Sequence, residues 1–131
     1  MAFKAELNLD SLKGVKVIDF SYSLGRDVDA SGRPSGAVKG GTIQVTIEST
    51  KSTFLFEWMT TPTKRKEGTI TIMADDQDGS MKEIKFKDGY IVDYGENYHW
   101  QGGENMLETF TVSAKEITVG GGTHENEWPE S

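Results

Sequence analysis

Apolar residues recur at every second position in several short segments of this chain, which is the spacing of β-strands that bury one face. An opening strand is predicted by Phe3, Ala5, Leu7 and Leu9. Later strands are predicted by Ile43, Val45 and Ile47, by Ile70 and Ile72, by Ile84 and Phe86, and by Phe110, Val112 and Ala114. The pattern predicts an all-β fold, mainly an antiparallel β-barrel or sandwich.

Three segments depart from simple alternation. Residues 15–24 form a longer apolar-rich run, which predicts a strand buried on both faces for part of its length. Residues 90–94 are apolar on both parities and suit a central strand. Farther along, the apolar positions change from even to odd numbers before Ile117, so we predict a bulge or bend near Lys115 that shifts the register.

One segment has helical spacing. In residues 53–59 the pairs Phe54/Trp58 and Leu55/Met59 lie four positions apart, which places each pair on one helical face. We predict one short α-helix around residues 51–60, with two to three turns packed on the sheet. Its start would be capped by Ser49, Thr50 or Ser52, and Pro62 would end it.

Residues 25–41 are rich in glycine, serine and proline, so they predict a long loop or an extended hairpin. Connections longer than about 12 residues in a compact domain are usually functional or disordered. We favour a contact arm, and plain disorder is the alternative.

The length of 131 residues suits a single domain, residues 1–131. A net charge of −7 opposes binding to nucleic acids and insertion into anionic membranes, and the basic run at residues 64–66 is interpreted as a solvated loop. The chain has no cysteine, and no signal peptide or 18-residue apolar run is visible. We therefore expect synthesis and folding in the cytoplasm.

Candidate chemistry is sparse. His99 and His124 each lack a second histidine at ligand spacing, and no nucleophile elbow is present. The acidic residues 75–79 fail as a calcium loop, because alignment on Gly79 puts Ala74 first and Lys85 last; an acidic turn is predicted instead. Three glycines at residues 120–122 predict a flexible turn. We predict no catalytic residue, metal or cofactor.

The polar faces of several predicted strands carry small hydroxyl residues rather than charges. They include Thr42, Gln44 and Thr46, then Thr69 and Thr71, then Thr109, Thr111 and Ser113. A free solvent face normally mixes both charge signs, so these faces suit a wet surface lying close to another molecule. The alternative is simply the high strand propensity of threonine.

Five stretches of the chain resemble the haemolysin-coregulated tube protein of bacterial type VI secretion systems. They are FSYSLGRDVD at residues 20–29 with GRP at 32–34, GGTI at 40–43, KFKDGYIV at 85–92, SAKEITV at 113–119 and HENEW at 124–128. The resemblance spans nearly the whole chain and is closest to the divergent branch of the family found in gut anaerobes.

This resemblance implies a structural protein rather than an enzyme, with six copies forming a ring and rings stacking inside a contractile sheath. It implies sheath, spike and effector proteins as partners, and a subunit that is cytoplasmic when assembled and exported without a signal peptide. The loop would reach a neighbouring subunit or ring through Arg26, Asp27, Asp29, Arg33, Pro34 and Lys39. The channel would be lined by Thr42, Gln44, Thr46, Thr69, Thr71, Thr109 and Thr111.

A small barrel is filled by its own side chains, so a channel needs several subunits around an axis. The alternative is a small-ligand binding β-barrel, which would need an apolar cavity with a few polar anchors. A hydrolase that uses scattered carboxylates ranks last, because no catalytic constellation is visible.

Overall fold

The computed structural model describes residues 3–74, 80–101, 106–126 and residue 128. Its elements, in chain order, are β1 (Phe3–Leu9), β2 (Leu12–Tyr22), β3 (Gly25–Val28), β4 (Pro34–Lys39), β5 (Thr42–Glu48), α1 (Phe54–Met59), β6 (Lys66–Ala74), β7 (Ser80–Tyr98), β8 (Met106–Val119) and β9 (Gly122–Glu125). The predicted acidic turn at residues 75–79 lies outside the described residues.

Six antiparallel strands close into a barrel. Their order is β5-β2-β1-β6-β7-β8, and pairing of β5 with β8 completes the circle. Closure gives each barrel strand a hydrogen-bonding partner on both sides, which removes the free edges of an open sheet. β9 extends the sheet by pairing with the C-terminal part of β8, and β3 and β4 form a separate two-stranded hairpin.

The core lies inside the barrel, and the alternation of the sequence fills it. Side chains from all six barrel strands are buried there: Leu7 and Leu9, Leu12 and Val17, Ile43, Val45 and Ile47, Ile70, Ile84, Phe86 and Ile91, and Phe110, Val112, Ala114 and Ile117. The predicted all-β barrel is therefore confirmed. The interior is occupied by the chain's own side chains, as expected for a barrel of this size.

The predicted change of parity in the last long strand is confirmed, but its cause differs from the prediction. Ala114 and Ile117 are both buried, so the inward face switches between them. The register of β8 against β7 is nevertheless unchanged there, because Gly89 pairs with Ala114 and Lys87 pairs with Glu116. Between these two pairs, Asp88 has a positive φ of 51°, so a local backbone distortion accompanies the switch.

The helix forms where the spacing predicted it, but it is shorter. α1 has six residues, and Leu55 and Trp58 join the core. Thr53 occupies the N-cap position. Of the three predicted caps, Ser52 contacts the start of the helix, because its Oγ accepts a hydrogen bond from the Phe54 N–H at 3.1 Å. Ser49 and Thr50 contact Glu108 instead, so these two predicted caps are wrong. In the described part of the chain, no helix is long and apolar enough to cross a membrane.

Two turn segments are more ordered than the sequence indicated. The basic run is not wholly a solvated loop: Lys66 begins β6 and its Nζ lies 2.6 Å from Asp10 Oδ2, while Arg65 Nε donates to the Tyr90 hydroxyl at 2.9 Å. The glycines at residues 120–122 turn the chain from β8 into β9. The C-terminal segment is thereby tied to the barrel.

Candidate assembly surfaces

Residues 23–39, called the arm below, project from one end of the barrel as an extended hairpin. Every residue in this range is exposed, including Leu24, Val28 and Val38. β3 and β4 pair through Gly25 with Lys39, Asp27 with Ser35, and Val28 with Pro34. Because a two-stranded hairpin alone is only marginally stable in water, exposed apolar side chains on it suit packing against another molecule.

The tip of the arm is shaped by one carboxylate. Asp29 Oδ1 accepts hydrogen bonds from the backbone N–H of Ser31 and of Arg33, both at 3.0 Å, and from the Ser31 hydroxyl at 2.8 Å. The Ser31 hydroxyl, followed by the Arg33 backbone N–H, holds the pKa of the Asp29 carboxyl below its usual value. Asp29 therefore stabilises the turn in which it lies.

The remaining charged candidates in the arm have different partners. Lys39 Nζ lies 2.8 Å from Asp27 Oδ2 in an exposed ion pair, which contributes at most about 1 kcal/mol. Arg26 Nη2 donates to the Gly36 carbonyl at a long 3.4 Å. In the described part of the chain, the Arg33 guanidinium has no partner, so it is available to another molecule.

The base of the arm is fixed to the barrel by Gly41 and Asn126. Gly41 is buried with a φ of +104°, and a Cβ there would lie 2.8 Å from the Ala114 carbonyl oxygen, so only glycine fits. Asn126 Nδ2 donates to the carbonyl oxygens of Gly40 at 3.0 Å and Ala114 at 3.2 Å. The C-terminal segment thus holds the base of the arm where the chain enters β5.

Five of the seven predicted channel residues form one continuous surface on β5 and β8. Thr42 pairs with Ser113, Gln44 with Thr111 and Thr46 with Thr109, and we call these six residues the threonine face. The hydroxyl oxygens of Thr46 and Thr109 are 3.1 Å apart. Tertiary structure thus joins two polar runs that are about 65 residues apart in the sequence.

The threonine face is flanked by carboxylates. On one side Asp19 of β2 pairs with Thr46, and on the other side Asp93 of β7 pairs with Thr111. Both aspartates are exposed. The surface is therefore polar, rich in hydroxyl groups and weakly acidic.

The other two predicted channel residues, Thr69 and Thr71, lie elsewhere. Their strand, β6, is three strands away from β5 in either direction around the barrel, so they face the opposite side. Their neighbours on β7 are Lys85 and Glu83, which form an ion pair at 3.8 Å. This mixture of charges is typical of an ordinary solvent face. The two groups of threonines lie on different sides of the barrel.

Sequence reasoning missed Glu108, the buried charged residue in the described part of the chain, which is 2% exposed. The Tyr94 hydroxyl donates to its Oε1 at 2.8 Å, and the Thr50 N–H reaches Oε2 at 3.4 Å. Burial, and then the hydrogen bond to Glu108, raise the pKa of the Tyr94 hydroxyl above its usual value. The available signal was parity, since Glu108 shares the even positions of the buried residues of β8.

The histidines are not brought together. His99 is exposed, and His124 Nε2 lies 3.0 Å from Asn126 Oδ1 near the base of the arm. Among the residues that the structure describes, no group of three or more His, Cys, Asp or Glu side chains is placed to hold a metal ion.

Comparison with known proteins identifies a family whose model matches this chain. A family model described as hemolysin coregulated protein Hcp (TssD) matches residues 1–129. A sequence search of curated proteins finds no match.

Solved structures show a close relative and several distant ones. Hcp1 from Flavobacterium johnsoniae is 41% identical, with 94% of this chain and 99% of that chain covered and a TM-score of 0.87. Hcp1 from Salmonella typhimurium is 16% identical, with coverages of 95% and 92% and a TM-score of 0.74. A chain of the sheath-tube complex of an extracellular contractile injection system is 14% identical, with coverages of 90% and 87% and a TM-score of 0.54. The last two show the shared fold alone.

Proposed function

The chain belongs to the hemolysin-coregulated protein family (Hcp, TssD), and we propose that six copies close into a ring and that the rings stack into a tube. As a member of this family, it is a structural subunit of the type VI secretion tube, a secreted protein that assembles with sheath-type partners. The ring of six, the contacts between copies and the carriage of effectors are the proposed parts.

The observation that carries the proposal is the filled interior of the barrel. Apolar side chains from all six strands occupy it, so a single chain encloses no channel. Contacts between unlike surfaces of successive copies can close a ring, and the same kind of contact repeated along an axis gives a filament. A conduit is therefore a property of the assembly.

We assign the threonine face to the channel. Its hydroxyl and amide groups stay hydrated without strong charge, so cargo can pass close to it without being held tightly. Thr69 and Thr71 then lie on the outside of the ring, because they face the opposite side of the barrel. Effectors would travel inside this channel, and the spike protein would sit at the end of the tube.

We assign the arm to contacts between copies. The relevant side chains are Arg26, Asp27, Asp29, Arg33, Pro34 and Lys39, all of them exposed. Asp29 and Asp27 shape and brace the hairpin through the bonds described above, which leaves Arg33 and the apolar residues for the neighbour. The assembled subunit would be cytoplasmic and would leave the cell through the apparatus rather than by a signal peptide.

Size-exclusion chromatography with light scattering tests the ring. Six copies of the 14.5 kDa chain give a mass of about 87 kDa, and negative-stain images should show annular particles. A monomer at high concentration, with no annular particles, would overturn the proposal. That result would favour the small-ligand binding barrel, which needs no partner copy.

A further inference from the structure

A surface groove lies beside α1, at the end of β5 opposite the arm. It has a volume of about 520 Å³, and its lining includes Lys51, Phe56, Tyr94, Glu96, Met106 and Glu108. We call it the α1 groove. Phe56 and Met106 are exposed there, and the Phe56 ring meets the Tyr94 ring edge-on with centroids 6.3 Å apart. The groove therefore offers apolar surface beside polar groups, as a protein docking site does.

The groove also has an excess of negative charge. Glu96 and Glu108 are paired across β7 and β8, and both approach Ser49 Oγ, at 2.6 Å and 3.2 Å. The Ser49 hydroxyl has one proton and can donate to only one of the two carboxylates at a time. Glu96 is exposed, and among the described residues that line the groove Lys51 is the single basic one. A cationic side chain from outside would complete this arrangement.

The arm has the complementary properties. It carries three basic and two acidic residues in a chain with a net charge of −7, so its charge is opposite to that of the molecule as a whole. Its Arg33 guanidinium has no partner in the described part of the chain. Leu24, Val28 and Val38 are exposed beside these charges. Charge and apolar surface on the arm thus both match the α1 groove.

The two surfaces cannot meet within one molecule. The arm leaves the barrel just before Thr42, and the groove begins just after Glu48, so the length of β5, about 20 Å, separates them. All residues of the arm are exposed, and none of them lines the α1 groove of its own molecule. A contact between them therefore joins two copies through unlike surfaces.

We infer that the arm of one subunit docks in the α1 groove of a second copy, with Arg33 beside Glu96 and the arm's apolar residues against Phe56 and Met106. This inference rests on the proposed tube function and specifies which surfaces make its contacts. It gives the assembly a direction, because each copy presents an arm at one end and a groove at the other.

Cross-linking tests this pairing cleanly, because the chain has no cysteine of its own. An Arg33→Cys variant is mixed with a Glu96→Cys variant and treated with a short bis-maleimide, which spans more than a disulfide can. We expect covalent dimers in the mixture and no more than background in either variant alone. The matched control replaces Glu96→Cys with Lys82→Cys, an exposed position on β7 outside the groove, and should give no dimer.

Charge exchange provides an independent test. Arg33→Glu and Glu96→Arg should each raise the concentration needed for assembly by about tenfold, and the double variant should restore most of that loss. Annular particles without cross-linking or charge rescue would overturn the groove assignment and leave the tube function standing. A protein that stays monomeric in light scattering would overturn both.

Discussion

The barrel and the arm are built from the same extended backbone, yet they use their side chains in opposite ways. In the barrel, every strand buries at least one apolar side chain in the core, and Leu7 is 0% exposed. In the arm, no residue is buried, and Leu24 is 50% exposed. A two-stranded hairpin has no second layer to cover its apolar residues.

The two regions therefore have different roles: the barrel core stabilises the folded subunit, and the arm is available for assembly. The barrel holds the buried apolar core, so we expect most of the free energy of folding of the subunit to come from it. The arm contributes little to that stability and presents its apolar and charged groups to a neighbour. Substitutions in the two regions should therefore change different measured quantities.

The largest difference in the free energy of unfolding is expected between two leucine substitutions, one in the barrel and one in the arm. Leu7→Ala should lower the free energy of unfolding by about 2–5 kcal/mol, because it removes buried methyl groups and leaves a cavity. Leu24→Ala, the matched change in the arm, should cost less than about 0.5 kcal/mol in the subunit. Urea denaturation of unassembled subunits measures both. Equal losses would show that the arm is part of the folding core.

An intermediate effect is expected at Tyr94, in the barrel wall beside the α1 groove. Tyr94→Phe should cost about 1–3 kcal/mol at neutral pH, because buried Glu108 loses a hydrogen-bond donor. Tyr98→Phe is the control, since Tyr98 is highly exposed.

The same pair should show a pH dependence of known sign. The pKa of the Tyr94 hydroxyl is raised in the folded protein, whereas a tyrosine in the unfolded chain has a pKa of about 10. The stabilisation from neutral Tyr94 is therefore fully present below about pH 10 and declines as the pH rises above it. The stability gap between the natural chain and Tyr94→Phe should narrow between about pH 10 and 11, and a constant gap would contradict this assignment.

The smallest effect on the subunit is expected from shortening the arm. Deletion of residues 31–36 should change the unfolding free energy by less than about 0.5 kcal/mol, because exposed hairpin tips tolerate deletion. The same deletion should weaken ring or stack formation, as measured by light scattering and negative-stain imaging. Unchanged assembly would reject the arm as a contact surface.

Much of the fold was predictable from local pattern. Ile43, Val45 and Ile47 are buried as their spacing required, and the position of α1 followed from its i,i+4 pairs. The cap prediction failed for Ser49 and Thr50, because both contact the carboxylate of Glu108, which is distant in sequence. In the sequence, Glu108 could be recognised only as a charged residue at a position that the strand alternation assigns to the buried face.

The candidate surfaces were likewise predictable only in part. The length and composition of the arm indicated an extended hairpin, and the resemblance to tube proteins indicated the family. The sequence did not show that Thr69 and Thr71 lie on the opposite side of the barrel from Thr46 and Thr109. Equivalent residue types on different strands look alike until the order of the strands is known.

By itself the sequence determined the strand periodicity, the position of α1, the arm and the family, because these depend on spacing between near neighbours or on matching stretches of chain. Only the tertiary structure decided which polar faces are continuous, that a groove with Glu96 and Glu108 lies at the far end of β5 from the arm, and that the barrel interior is filled. The physical reason is that strand order and closure are set by pairing between residues such as Thr42 and Ser113, which no local pattern specifies.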